Sequence, residues 1–368
     1  MDFSFTDSQR QLRDALRGYL ERENGFPART ASIRAAAGWN ESLWRGLAED
    51  LGILGVGVAE AAGGAGGNAV DMMIVSEELG ANLLVEPFLE TAVVGAAAFA
   101  AAGGREDALA AIVSGDMRCA FAWAEAESRF DPADIRTTAT PAIAGWRLDG
   151  SKAVVMAAPY ATHLLVSARD QDKLVLFLVD ADAPGVSLQA YPTIDGRRAA
   201  DIAFDAVSVP EAASLLRGEE AIARLFDIGA AMLGAEALGV MRVMLEDTIA
   251  FTKGRRQFRQ AIASFQVLQH RMVDMYMQFE LATSAVYRAV LSLDASPEDR
   301  ARAVSAMKVT VAGACRFIGQ NAIQLHGGMG MSDEVRVTHY FRRATVIESE
   351  FGSADYHRRR FAALSRAA

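Results

Sequence analysis

Two different apolar periods alternate along this 368-residue chain, and the switches between them divide it into three parts. In the first part Leu12, Leu16 and Leu20 follow Phe5 along one side of a helix. They stand behind T-D-S-Q at Thr6, a pattern in which a hydroxyl and an amide satisfy free N–H groups at a helix start. Further helical patterns fall at about 41–51, 68–79 and 105–113, separated by glycine-rich breaks such as A-A-G-G-A-G-G at 61–67. From about Met117 to Pro210 short β-prone runs bounded by Pro, Gly and Asp predict a compact antiparallel sheet domain. After Ser214 the helical period returns in three stripes: Leu238, Met241, Leu245, Ile249; Leu268, Met272, Met275, Phe279, Ala282, Val286; and Val304, Met307, Val311, Ala314, Ile318, Ala322. These predict an antiparallel four-helix bundle, with the methionines as core filler. The expected fold class is α+β, with a helical domain at 1–116, a β domain at 117–213 and a bundle domain at 214–368.

Composition narrows what such a chain can do. Apolar residues make up 51% and charged residues 23%, the balance of a globular protein. The net charge of −9, with basic residues scattered, argues against nucleic acid as a partner. The most apolar tract, 91–102, is far short of the roughly 20 residues of a membrane span. Two distant cysteines, an acidic opening without a signal-like stretch, and no metal-ligand spacing among the histidines point to a cytoplasmic protein without a metal site. The glycine run at 61–67 lacks the Lys and Ser/Thr of a phosphate loop and reads as a flexible turn.

Four segments carry more specific chemistry. R-R-Q-F at Arg255–Phe258 precedes F-Q-V-L-Q-H, and an arginine and an aromatic ring at a helix end can hold a pyrophosphate and stack a planar ring. Q-L-H-G-G-M-G-M begins at Gln324, and its double glycine admits close backbone approach to a ligand. W-A-E-A-E-S-R-F-D begins at Trp123. The last is F-R-R-A at Phe341, leading to V-I-E-S-E-F-G-S-A-D-Y-H, where three carboxylates and a histidine surround one glycine. Taken singly, each also reads as a solvated charge or a helix-ending turn.

In this order and spacing the motifs resemble the acyl-CoA dehydrogenase family over essentially the whole chain. The look is closest to the small subunits of two-component members of the pimeloyl-CoA dehydrogenase type. The resemblance implies FAD held between subunits, α,β-dehydrogenation of an acyl-CoA thioester, and electrons leaving to an electron-transferring flavoprotein. It also implies an oligomer, homo- or heteromeric, as a dimer or an α₂β₂ tetramer. Carried over residue by residue, Arg255, Phe258 and Gln266 match positions that reach a neighbouring subunit's FAD. Gln324 and Gly328 match positions at the adenine half, and Ser353 and Asp355 match positions that touch the dinucleotide.

The rest of the family pattern is altered. Ala124 and Phe130 replace a flavin-facing threonine and a CoA-touching serine, and Val154-Val155-Met156 replaces the segment that packs on the flavin. Asp227 matches an aspartate near the CoA end, while Ala230 replaces the arginine that follows it. The catalytic glutamate position holds Phe351, and the alternative one holds Gly229, so no catalytic residue is assigned. Three readings stay open: a subunit completed by a partner, a non-catalytic homologue without flavin, and a homomeric enzyme with a displaced base such as Glu350.

Overall fold

A computed structural model describes residues 4–128 and 130–367. Its first helices are α1 (Asp7–Glu23), α2 (Phe26–Arg34), α3 (Glu41–Glu49), α4 (Ala69–Ala81), α5 (Ala96–Ala102) and α6 (Glu106–Val113). A π-helical segment, Leu89–Gly95, runs into α5. The strands that follow are β1 (Cys119–Ala122), β2 (Thr138–Ala142), β3 (Gly145–Met156), β4 (His163–Asp170) and β5 (Lys173–Asp180), then β6 (Val186–Pro192), β7 (Arg198–Pro210) and β8 (Ser214–Arg217). Next come α7 (Glu219–Gly254), a small hairpin of β9 (Arg256–Gln257) and β10 (Gln260–Ala261), α8 (Gln266–Leu291) and α9 (Pro297–His326). The chain closes with α10 (Arg336–Ile347) and α11 (Ala354–Ala367).

By their internal contacts the residues form two compact units. One comprises Met1–Thr30, Met73–Leu84 and Ala230–Ala368; the other comprises Ala31–Met72 and Val85–Gly229.

In the first unit α1 starts at the expected capping box: the Thr6 hydroxyl accepts from the Gln9 amide at 3.2 Å and the Gln9 side chain accepts from Thr6 N–H at 3.1 Å. The α9 stripe is buried along its whole length, from Val304 to Ala322, against α8, α10 and α11. Two glycines let α4 and α7 cross in backbone contact. A Cβ on Gly239 would lie 1.9 Å from the Glu77 carbonyl oxygen, and one on Gly80 would lie 2.1 Å from that of Glu236. Beside the crossing, Glu78 is fully buried and binds Arg17 at 2.8 Å and Arg242 at 3.0 Å. The α8 stripe is buried only at Met275, Ala282 and Val286, and that helix turns a second apolar set, Val267, Val273, Tyr276, Met277 and Leu281, to solvent.

In the second unit the sheet runs β6-β7-β3-β2-β4-β5-β8, with β1 also paired to β4. Most pairings are antiparallel, as expected, but β1 with β4 and the single contact of β2 with β4 are parallel. Trp146, Leu148, Val166, Val175, Phe177 and Phe204 fill its core. The glycine run at 61–67 is a tight, internally satisfied turn. The N–H groups of Gly64, Ala65, Gly66 and Gly67 donate to carbonyls at positions 55–59, so none is left to cradle a phosphate.

By length and composition α7 could cross a membrane, but 89% of its apolar window is buried inside the protein.

Candidate active site

The sequence-assigned residues fall into two groups, one at the C-terminal end of α9 and one beside its middle. The first begins where α7 stops. Arg255 follows its last residue, and β9 and β10 form a two-residue hairpin whose tip is Phe258 and Arg259. Both tip residues are left-handed, with φ of 50° and 65°. Such a turn normally selects Gly or Asn, so a phenylalanine there is held against its backbone preference. Phe258 is nonetheless 84% exposed, touching Phe265 edge-on at 6.0 Å between ring centres. Gln266 opens α8 immediately afterwards and is exposed.

The C-terminal end of α9 lies beside this hairpin, because His326 stacks on Phe251 near the end of α7, with ring centres 4.4 Å apart. Gln324 is exposed here, and α9 ends at Gly327 with φ of 60°. Around Gly328 a Cβ would meet nothing within 4 Å. Among the described residues no ion pair or side-chain hydrogen bond engages Arg255, Gln266 or Gln324. A cation, two amides, an aromatic ring and an open glycine backbone are thus gathered at one end of the helices and unspent within the chain. That donor set fits a dinucleotide.

Ser353 and Asp355 stand apart from this end, beside the middle of α9. They follow the turn after α10, which α9 contacts through Ser305 and Arg316. Along α9, Ser305 and Arg316 lie 19 and 8 positions before Gln324, or about 28 and 12 Å. Ser353 accepts from Tyr356 N–H at 3.3 Å, and exposed Asp355 pairs with Arg358 at 2.6 Å.

The turn itself is held from four helices. Lys308 of α9, 1% exposed, donates to the carbonyls of Ile347 at 2.8 Å and Glu350 at 2.6 Å. Burial pushes its ammonium down to about 8. Arg343 of α10 makes a two-pronged contact with Glu236 of α7 at 2.6 and 2.9 Å and a third with Glu350 at 2.9 Å. His357 of α11 donates through Nε2 to the Phe351 carbonyl at 2.8 Å, while its Nδ1 faces the Ser305 hydroxyl at 3.3 Å. Burial pulls this imidazole down to about 3, so it is neutral with its hydrogen on Nε2. Phe351 is buried with φ of 51°, and Gly352 follows with φ of 99°. A Cβ on Gly352 would lie 2.7 Å from the His357 ring, so the glycine is required.

No carboxylate in the turn is uncommitted. Glu348 pairs with Arg316, and Glu350 with Arg343. None of the sequence motifs points to Lys308, Arg316 or Glu236. A lysine one step from Met307, on the buried arc of the α9 stripe, was the available signal.

In the second unit the segments that carry Ala124, Phe130 and Val154–Met156 remain firmly held although their side chains depart from the family pattern. Glu125 accepts from Arg136 N–H at 2.7 Å, Thr137 N–H at 3.0 Å, the Thr137 hydroxyl at 2.6 Å and buried Lys152 at 2.7 Å. Val154 has φ of 52°, and its N–H donates to Asp201 at 2.9 Å. Asp227 is fully buried.

Known proteins place these features in one group. The models for the N-terminal, middle and C-terminal domains of acyl-CoA dehydrogenase match residues 6–116, 120–207 and 217–364. The chain belongs to the acyl-CoA dehydrogenase family. It is therefore a flavin-dependent acyl-CoA oxidoreductase with FAD as its cofactor. Among its relatives is benzylmalonyl-CoA dehydrogenase of Aromatoleum aromaticum, 28% identical across 94% of this chain and 95% of that one. Acyl-CoA dehydrogenase IpdE2 of Mycolicibacterium smegmatis is 27% identical, across 92% and 93%. The ChsE4-ChsE5 complex of Mycobacterium tuberculosis aligns over the full length of both chains with a TM-score of 0.93 at 25% identity. A variant of the Tcur3481-Tcur3483 steroid ACAD aligns over 98% of both with a TM-score of 0.91 at 30% identity.

Proposed function

We propose that this acyl-CoA dehydrogenase is one subunit of a two-component enzyme, and that its partner chain brings the carboxylate that removes the substrate's α proton. The observation that carries the reading is the occupant of the base position. Phe351 is buried there, and the two acids that precede it, Glu348 and Glu350, are committed to arginines. A general base must come within about 3 Å of its proton in a productive pose, and a phenylalanine has nothing to accept it.

The division of flavin-facing residues supports an assembly. Arg255, Phe258, Gln266, Gln324 and Gly328 face outward at the C-terminal end of α9, while Ser353 and Asp355 follow a turn that packs on the middle of that helix, at Ser305, Lys308 and Arg316. The first set serves a neighbour's FAD: Arg255 neutralises the pyrophosphate, Phe258 covers a ring, and Gln324 and Gly328 meet the adenine half. Ser353 and Asp355 serve a dinucleotide beside the middle of α9. When bound, FAD supplies the hydride acceptor for the acyl chain's β carbon. The apolar outer face of α8 provides the surface against which a second chain of this fold packs. Electrons leave the assembly to an electron-transferring flavoprotein. The likeness to the ChsE4-ChsE5 complex, whose name describes two chains, favours a heteromeric assembly.

Native mass spectrometry of the co-purified complex, with flavin counted per mass, tests this. Two kinds of chain with fewer FAD than polypeptides support it. A homo-oligomer with one FAD per chain that oxidises an acyl-CoA would sink it.

A further inference from the structure

We infer that Glu350, Arg343 and Lys308 are positioning residues that fix the turn carrying Ser353 and Asp355 for the dinucleotide. This rests on the proposed assignment of Ser353 and Asp355 to flavin.

The turn is costly to hold. Phe351 and Gly352 are consecutive left-handed residues, and a bulky aromatic pays for that conformation in strain. Such strain persists only where the surroundings over-determine the backbone. They do so here through buried, charged groups. Lys308 bridges the carbonyls of Ile347 and Glu350, which closes the end of α10 and fixes the direction in which the chain leaves it. Arg343 joins the Glu350 carboxylate to Glu236 on α7. The four side chains carry two positive and two negative charges, so the cluster is neutral as a whole and vulnerable one member at a time.

The carboxylate of Glu350 is also informative in detail. Its Oε2 is held by Arg343 at 2.9 Å, while its Oε1 is buried and accepts no hydrogen bond. A group kept only to cap a surface helix would be solvated. This one is withdrawn from water and tied to Arg343 of α10, and through it to Glu236 of α7, three positions before Ser353. Its task is geometric, and it is not a proton acceptor.

Four variants of the full chain in its co-purified complex test this: Glu350→Gln, Glu350→Asp, Lys308→Met and Ser353→Ala. FAD affinity is read by flavin fluorescence, the melting temperature is recorded beside it, and hydrogen exchange of residues 348–355 is measured with FAD removed. Glu350→Gln and Lys308→Met are expected to weaken FAD roughly tenfold, as loss of a charged hydrogen bond does, and to speed exchange in the turn. Glu350→Asp, which keeps the charge, should recover part of the affinity. Unchanged affinity in both variants, with Ser353→Ala weakened, overturns the positioning role alone. Unchanged affinity in Glu350→Gln, Lys308→Met and Ser353→Ala alike overturns the assignment of the turn to flavin. Loss of turnover in Glu350→Gln with FAD affinity intact would make Glu350 the base and also overturn the inference.

Discussion

At the scale of single residues, the chain uses buried charged and imidazole groups to hold backbone, and leaves Arg255, Phe258, Gln266 and Gln324 exposed. His357 illustrates the first. Its neutral ring is needed for the bond to the Phe351 carbonyl, and burial keeps it from protonating until about pH 3, against 6.5 when exposed. The unfolded chain therefore takes up this proton first, and the histidine's contribution to stability is complete above pH 6.5 and lost as pH falls towards 3. Within that window it contributes a slope of at most about 1.4 kcal/mol per pH unit. His357→Gln should flatten the acid limb of a denaturation-versus-pH curve, and an unchanged limb would show that other groups carry it. Phe258 illustrates the second. It is mostly exposed, so Phe258→Ala should leave the melting temperature within about 1 °C of the parent. FAD affinity of the assembly should fall clearly, by loss of a stacking surface. Equal FAD affinity would remove Phe258 from the site.

At the scale of elements, the crossing of α4 and α7 depends on the absence of side chains. Gly239→Ala places a methyl 1.9 Å from a carbonyl oxygen that belongs to another helix and cannot swing away. The expected cost is about 3 kcal/mol or more, seen in the denaturant midpoint. A shift below about 0.5 kcal/mol would mean that the helices slide apart freely. Alanine stabilises an ordinary helix, so the sign of the effect distinguishes packing from propensity. Much at this scale was legible in the sequence. The capping box at Thr6 and the α9 stripe are where spacing predicts them, because local periodicity and capping depend on neighbours three and four positions away. The parallel pairing of β1 with β4 and the ion pairs from Arg17 and Arg242 to Glu78 were not legible. They join residues far apart in sequence, and nothing local selects among possible partners. The outer α8 set was hidden too, since Val267, Val273 and Met277 lie beside the inner stripe and blur its period.

At the scale of the whole molecule, the candidate site was legible as a set of residues and illegible as a place. The motifs name Arg255, Gln324 and Ser353 together, yet only the course of α9 puts the first two at its C-terminal end and the turn before Ser353 beside its middle. The proposed two-component reading rests on these assigned groups and on the buried phenylalanine, Phe351, at the base position. The anaerobic flavin spectrum tests this most directly, recorded on the chain purified alone and on the co-purified complex, each mixed with an acyl-CoA thioester. The account predicts that the complex carries the flavin band and bleaches, while the chain alone carries no flavin that bleaches. Stoichiometric FAD on the isolated chain, bleached by an acyl-CoA, would contradict it.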